Sequence, residues 1–165
     1  MNDVANAVGA QGRYKESEEL LRQCLEVQKT VLGEDHPSTL RTMSNVAKAV
    51  GAQGRHKEAE ELFRQCLEVQ KTVLGEDHPS TLRTMNDVAN AVVQQGRYKE
   101  AEELFCQCLE VQKSVLGDTH PSTLLTMSNV ANAVRKQGRY KEAEELLRQC
   151  LEVQKTVLGE DHPST

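Results

Sequence analysis

Residues 85–126 read MNDVANAVVQQGRYKEAEELFCQCLEVQKSVLGDTHPSTLLT, and the rest of the chain is copies of this stretch. The copies start at Met1, Met43, Met85 and Met127, a spacing of 42 residues. Residues 43–84 and 85–126 differ at 11 of 42 positions. A period in this range marks a solenoid or array rather than an ordinary globular core. It also bounds function. A chain built from one repeated unit seldom carries an asymmetric catalytic site, because the chemistry of each position is copied down the array. The organisation expected is a single array over 1–165, with repeats 1–42, 43–84, 85–126 and 127–165, the first lacking the start of its first helix.

Each unit holds two helical patterns. In the second copy, Leu40, Met43, Val46, Ala47 and Val50 fall on one face of a helix spanning about Pro37 to Ala52. Its start is marked by Pro37 in the first turn and by Asp35 or His36 as the cap. Gly54, in Gln53-Gly54-Arg55, supplies the backbone freedom for a tight reversal. The second helix is expected over about His56 to Leu74. Its apolar stripe is Ala59, Leu62, Phe63, Cys66, Leu67 and Val73. Lys57, Glu58, Glu60, Glu61, Arg64, Glu68 and Lys71 read as its solvated face. Neither helix buries its stripe alone, so pairs form and pairs stack. At the N-terminus the first helix shortens to roughly Asn2–Gln11. At the C-terminus, about Tyr140–Leu158 is the last complete helix. The segment Leu158–Thr165 opens a further helix that does not form, which leaves an uncovered face.

Composition excludes several classes. Net charge is −5, charged residues are 27%, aromatics 3%, and there is no Trp. An acidic, aromatic-poor chain is unsuited to nucleic acid. No apolar run approaches the roughly 20 residues of a membrane span. No signal peptide is read at Met1. The five cysteines do not form a disulfide framework, so a reducing cytosol is the expected compartment.

The core of each unit resembles the tetratricopeptide repeat (TPR). In the third copy the residues that carry the likeness are Met85, Val88-Ala89, Val92, Gly96, Tyr98, Ala101, Phe105 and Cys108. Met85 stands where the family has an aromatic, Cys108 where it has a small Ala, and the Pro that ends its second helix is absent. The helix instead continues through residues 111–116 to Gly117, which lengthens the period from the common 34. The longer period, with Leu-Gly-Glu-Asp-His-Pro at residues 32–37, 74–79 and 158–163, is similar to the kinesin light chain and nephrocystin-like subgroup. The resemblance implies an all-α fold, a right-handed α-solenoid of stacked antiparallel helix pairs, about four repeats long. It also implies a protein-interaction scaffold and no enzyme.

In such arrays the first helix of each pair lines a concave groove. Carried over by position, the groove residues are Asn2, Asn6, Gly9 and Ala10 in the first copy. In the second they are Arg41, Ser44, Lys48, Gly51 and Ala52. In the third they are Arg83, Asn86, Asn90, Val93 and Gln94, and in the fourth Leu125, Ser128, Asn132, Arg135 and Lys136. This set carries Lys and Arg but no acid. Asn6, Asn90 and Asn132 recur at one position, with Lys48 interrupting them. An Asn amide both donates to and accepts from a peptide backbone. The expected partner is an extended acidic peptide, with no nucleic acid, membrane or cofactor. The alternative reading is a self-assembling structural module that stacks head to tail through its uncovered ends.

Cys24, Cys66, Cys108 and Cys150 recur on the buried side of the second helix. Equivalent atoms of stacked pairs lie on the order of 10 Å apart, too far for a shared metal or a disulfide, so they read as small buried hydrophobes. Cys106 replaces an Arg on the polar side and reads as an exposed, reactive thiol. His36, His78, His120 and His162, with Asp35, Asp77 and Asp161, suggest an acid–base dyad. Thr119 before His120 breaks the pattern and no nucleophile sits at a fixed offset, so no catalytic residue is assigned.

Overall fold

The computed structural model describes residues 2–158, and these contain eight α-helices. The expected opening of a further helix after Leu158 lies outside the described residues. Two compact units divide the chain, residues 1–95 and 96–165. The first contains α1 (Asn2–Ala10), α2 (Tyr14–Leu32), α3 (Pro37–Ala52), α4 (His56–Leu74) and α5 (Pro79–Gln94). The second contains α6 (Tyr98–Leu116), α7 (Pro121–Lys136) and α8 (Tyr140–Leu158). Within each unit every helix packs on the next in sequence, the pattern of a solenoid. No helix among the described residues is long and apolar enough to cross a membrane.

Local chemistry sets the helix ends. His36, not Asp35, caps α3: its Nδ1 accepts from the Ser38 backbone N–H at 3.1 Å. His78 and His120 repeat the contact with Ser80 and Ser122. Pro37, Pro79 and Pro121 follow at the first helical position, where a missing N–H costs nothing. These histidines thus serve the helix start. Gly54 has φ +82° and Gly75 φ +96°, left-handed geometry that a side chain strains.

The core of the first unit is Leu40, Val46, Ala47 and Val50 of α3, Phe63, Cys66 and Leu67 of α4, and Val88 and Val92 of α5. In the second unit Leu124, Met127 and Cys150 pack with Leu109 and Val153. Two expectations for the second helix need correction. Val73 is exposed, and Glu60 is buried. The buried face of α4 centres between Phe63 and Leu67. At about 100° per residue, Glu60 falls about 60° from Phe63 on the Leu67 side, while Val73 lies about 80° away on the other.

Burial of Glu60 reflects a polar seam that recurs where a second helix meets the following first helix. Gln53 Nε2 donates to Glu18 Oε2 at 2.7 Å, and Arg55 Nη1 reaches the same oxygen at 2.7 Å. Arg22 Nε holds the other oxygen at 2.8 Å. Gln95 Nε2 donates to Glu60 Oε2 at 2.7 Å. In the second unit Gln137 and Arg139 hold Glu102 at 2.6 and 2.7 Å. Buried charges survive only with such partners. Burial pushes the Glu18 carboxyl up, but hydrogen bonds from Gln53 and Arg22 and the charges of Arg22 and Arg55 bring it below the ordinary Glu value.

Candidate functional site

In the first unit, the polar positions of α3 and α5 meet across a cavity of about 370 Å³. Arg41, Ser44 and Lys48 of α3 line it together with Arg83 of α5. All four belong to the set that the family resemblance assigns to a groove. Arg41, Lys48 and Arg83 are all exposed, and Ser44 is half-buried with its hydroxyl 3.3 Å from Cys66 Sγ. Among the described residues, no carboxylate lies within ion-pair distance of the Arg41 or Arg83 guanidinium. The position shared by Asn6, Lys48 and Asn90 is brought together pairwise. Asn6 and Lys48 line one neighbouring cavity, and Lys48 and Asn90, with Gln94, line another.

The expectation that this surface lacks acids fails at Asp87. Its carboxylate lines the same cavity and pairs with Lys48 Nζ at 3.1 Å. Burial pushes the Asp87 carboxyl above its ordinary value, with Lys48 and then Arg83 pulling it back. The cavity therefore holds three cations and one half-buried carboxylate, a net positive site. Asn45, Asp87 and Asn129 share one repeat position, immediately after Ser44, Asn86 and Ser128. The groove assignment steps from Arg83 to Asn86 and leaves out Asp87, although Asp87 is four residues on from Arg83 and only about 40° round the helix from it.

Gln70 is a second residue the sequence reading missed. It projects from α4 into the wall of this cavity, is 3% exposed, and its amide oxygen has no donor. Gln28 and Gln112 share the position and the unmatched oxygen. The signal was present: Phe63, Cys66, Leu67 and Gln70 have the spacing of one buried stripe. A polar residue repeated in a stripe is informative because a buried acceptor without a donor costs about 1–3 kcal/mol.

Other expected residues are committed locally. Asn2 is buried and donates to Thr42 Oγ1 at 2.7 Å. Asn86 Nδ2 donates to Leu82 O at 3.2 Å on its own helix. In the second unit Ser128 donates to Leu124 O at 3.1 Å, and Asn132 accepts from Arg135 Nη2 at 2.9 Å. Asn132, Arg135 and Lys136 are exposed.

The cysteines are also placed. Cys24, Cys66, Cys108 and Cys150 are buried. Cys66 and Cys150 are more than apolar filler, since each thiol donates to a carbonyl of the preceding first helix, Leu40 and Leu124. Cys106 is half-buried rather than exposed. Burial, reinforced by Glu102 and Glu110, raises its thiol above the ordinary Cys value. A raised thiol holds less thiolate at neutral pH, which lowers its reactivity.

The sequence profile described as "Tetratricopeptide repeat" matches residues 1–72, 51–114, 94–156 and 122–165. Among solved structures, the chain is similar to a Podosopora anserina putative kinesin light chain with nearly identical TPR-like repeats. The identity is 34% over 99% of this chain and 77% of that one, with a TM-score of 0.85. A variant of that protein matches at 35% identity over 94% and 73% of the two chains, TM-score 0.82. BtubC (BKLC) from P. vanneervenii shares the fold at 18% identity, TM-score 0.82, over 96% of this chain and 62% of its own. No curated protein sequence matches the chain.

Proposed function

The chain belongs to the tetratricopeptide repeat family, with repeats of the kinesin light chain-like kind, and from that premise we propose that it holds an extended acidic segment of a partner along its first helices. The family forms scaffolds for protein–protein interaction, and such scaffolds are generally not enzymes. The finer reading concerns the side chains. What supports it most is the cavity of about 370 Å³ in the first unit. Arg41, Lys48 and Arg83 supply positive charge there, and the unmatched Gln70 amide oxygen supplies an acceptor. A carboxylate-bearing peptide meets both demands, its side chain on a guanidinium and its backbone N–H on Gln70. Asn6, Asn90 and Gln94, all exposed, extend the same chemistry to neighbouring positions of the first unit, and the second unit carries the exposed amide of Asn132. Arg135 and Lys136 add charge in the second unit. Five free cysteines support a reducing compartment such as the cytosol.

The test is fluorescence anisotropy with labelled acidic and basic peptide libraries of matched length. Acidic peptides should bind the parent chain. Arg41→Glu with Arg83→Glu should abolish binding, and Asn90→Ala with Asn132→Ala should weaken it, with the melting temperature preserved in both. Equal binding of basic peptides, or acidic binding indifferent to Arg41 and Arg83, overturns the reading.

A further inference from the structure

The cavity between α3 and α5 carries more positive charge than one carboxylate can match. Arg41 and Lys48 of α3 line it with Arg83 of α5, and Asp87 is the one acid among its lining residues. Asp87 is already committed. Its Oδ2 lies 3.1 Å from Lys48 Nζ, and its side chain is only 21% exposed. Lys48 and Asp87 thus cancel. Two guanidinia remain, at the same repeat position of α3 and α5. Both are exposed, and neither has a carboxylate within ion-pair distance among the described residues. The next residue at this position is Leu125, so the charge is placed at this cavity rather than copied along the sequence.

A Glu or Asp side chain brings one negative charge and leaves one guanidinium unmatched. A phosphorylated serine brings about −1.5 to −2 at pH 7 and three strong acceptor oxygens. Guanidinium forks match that geometry two bonds at a time. Ser38 and Ser80, half-buried at the same cavity, add hydroxyl donors for the same oxygens. The volume of about 370 Å³ lies within the roughly 300–1,000 Å³ of small-ligand pockets. One further group points to a peptide as the carrier. Gln70 is 3% exposed and its amide oxygen has no donor. An acceptor there calls for an N–H, which the backbone of a phosphopeptide supplies beside its phosphate.

We propose that this cavity binds a phosphorylated serine of an extended peptide, its phosphate bridging Arg41 and Arg83. The proposal rests on the peptide reading above and names the side chain that enters the site. Lys48, held on Asp87, shields the phosphate from that carboxylate, and Gln70 takes a backbone N–H of the same peptide.

The test is fluorescence anisotropy on the full chain with three labelled peptide pools. The pools share one degenerate acidic frame and differ only at the central residue, which is phosphoserine, Glu or Ser. The phosphoserine pool should bind about tenfold tighter than the Glu pool, the equivalent of one further charge-assisted hydrogen bond, and the Ser pool should bind weakest. Arg41→Gln and Arg83→Gln alter exposed side chains, so their circular dichroism should match the parent. Each should remove most of the preference for phosphoserine over Glu. Unlabelled phosphoserine peptide should displace the labelled pool, and inorganic phosphate at the same concentration should not. A phosphoserine pool no tighter than the Glu pool overturns the proposal. So does a preference that survives the loss of both guanidinia, or displacement by inorganic phosphate, which would reduce the cavity to a free-anion site. Tight binding of the Glu pool that depends on Arg41 and Arg83, with no phosphoserine preference, overturns this proposal and leaves the acidic-peptide reading standing. Failure of all three pools to bind overturns both.

Discussion

Replacing Gln53 by Ala removes the amide that closes the seam between α2 and α3. Two hydrogen bonds disappear, to Glu18 Oε2 at 2.7 Å and to Ala49 O at 3.0 Å. A hydrogen bond to a charged group contributes about 1.5–3 kcal/mol. Gln53 is half-buried, so water takes over part of its role, and Arg55 still holds the same carboxylate oxygen at 2.7 Å. The lower end, about 1.5 kcal/mol, is therefore expected, or roughly 3–6 °C in melting temperature for a chain of this size. The pH dependence separates this seam from a simple loss of packing. Glu18 sits below its ordinary value because the seam's hydrogen bonds and charges outweigh burial. A carboxyl lowered by folding contributes stability that is present above its unfolded value and lost as pH falls through the folded one. The cost of Gln53→Ala should be full at pH 7 and shrink below about pH 4. Urea unfolding followed by circular dichroism at pH 7 and pH 3.5 gives both midpoints. An unchanged midpoint at pH 7, or an equal cost at both pH values, would refute the seam's role.

Changing His36, His78 and His120 together to Ala should cost about 1 kcal/mol per cap, read as a lowered urea midpoint; a midpoint unchanged by the triple variant would show the caps to be idle. Phe105→Leu should cost under about 1.5 kcal/mol, because Leu21 fills the same position in the first copy, whereas Phe105→Ala should cost about 3–5 kcal/mol; equal melting temperatures for the two would contradict the packing described. Asp87→Asn should stabilise the chain at pH 7. Folding raises the Asp87 carboxyl, so its ionised form is a cost above the folded value that fades as pH falls toward the ordinary 3.8. The gain in melting temperature should close between pH 7 and pH 4, and a less stable Asp87→Asn at pH 7 would mean that the Lys48 ion pair outweighs burial.

Helix positions were legible in the sequence because each is signalled locally and repeated. Pro37 and Gly54 punctuate the ends, and the spacing of Leu40, Val46 and Val50 gives the period of a helix. The choice between Asp35 and His36 as cap needed coordinates, since either side chain offers an acceptor near Ser38 N–H. Burial of Glu60 was hidden because its partner Gln95 lies 35 residues along the chain, and residue type alone places a glutamate outside. The repeat did carry the clue, in that Glu18, Glu60 and Glu102 keep step with Gln53, Gln95 and Gln137. At the candidate site, the cationic residues followed from the family resemblance. Asp87 and Gln70 did not, because what they do depends on a neighbouring repeat: Lys48 for Asp87, and an absent donor for Gln70. Cys106 misled for a related reason. Its position is polar on arginine-bearing helices, but a short thiol cannot reach the solvent that an arginine reaches.

Nuclear magnetic resonance titration of the isotopically labelled chain with the tightest acidic peptide would locate the binding surface residue by residue. Amide shifts should gather on the first helices, at Arg41, Ser44, Lys48, Arg83 and Asn90, with the Gln70 side-chain amide moving alongside them. Shifts confined to the acidic outer positions of α2 and α4, such as Glu26, Glu61 and Glu68, would contradict it.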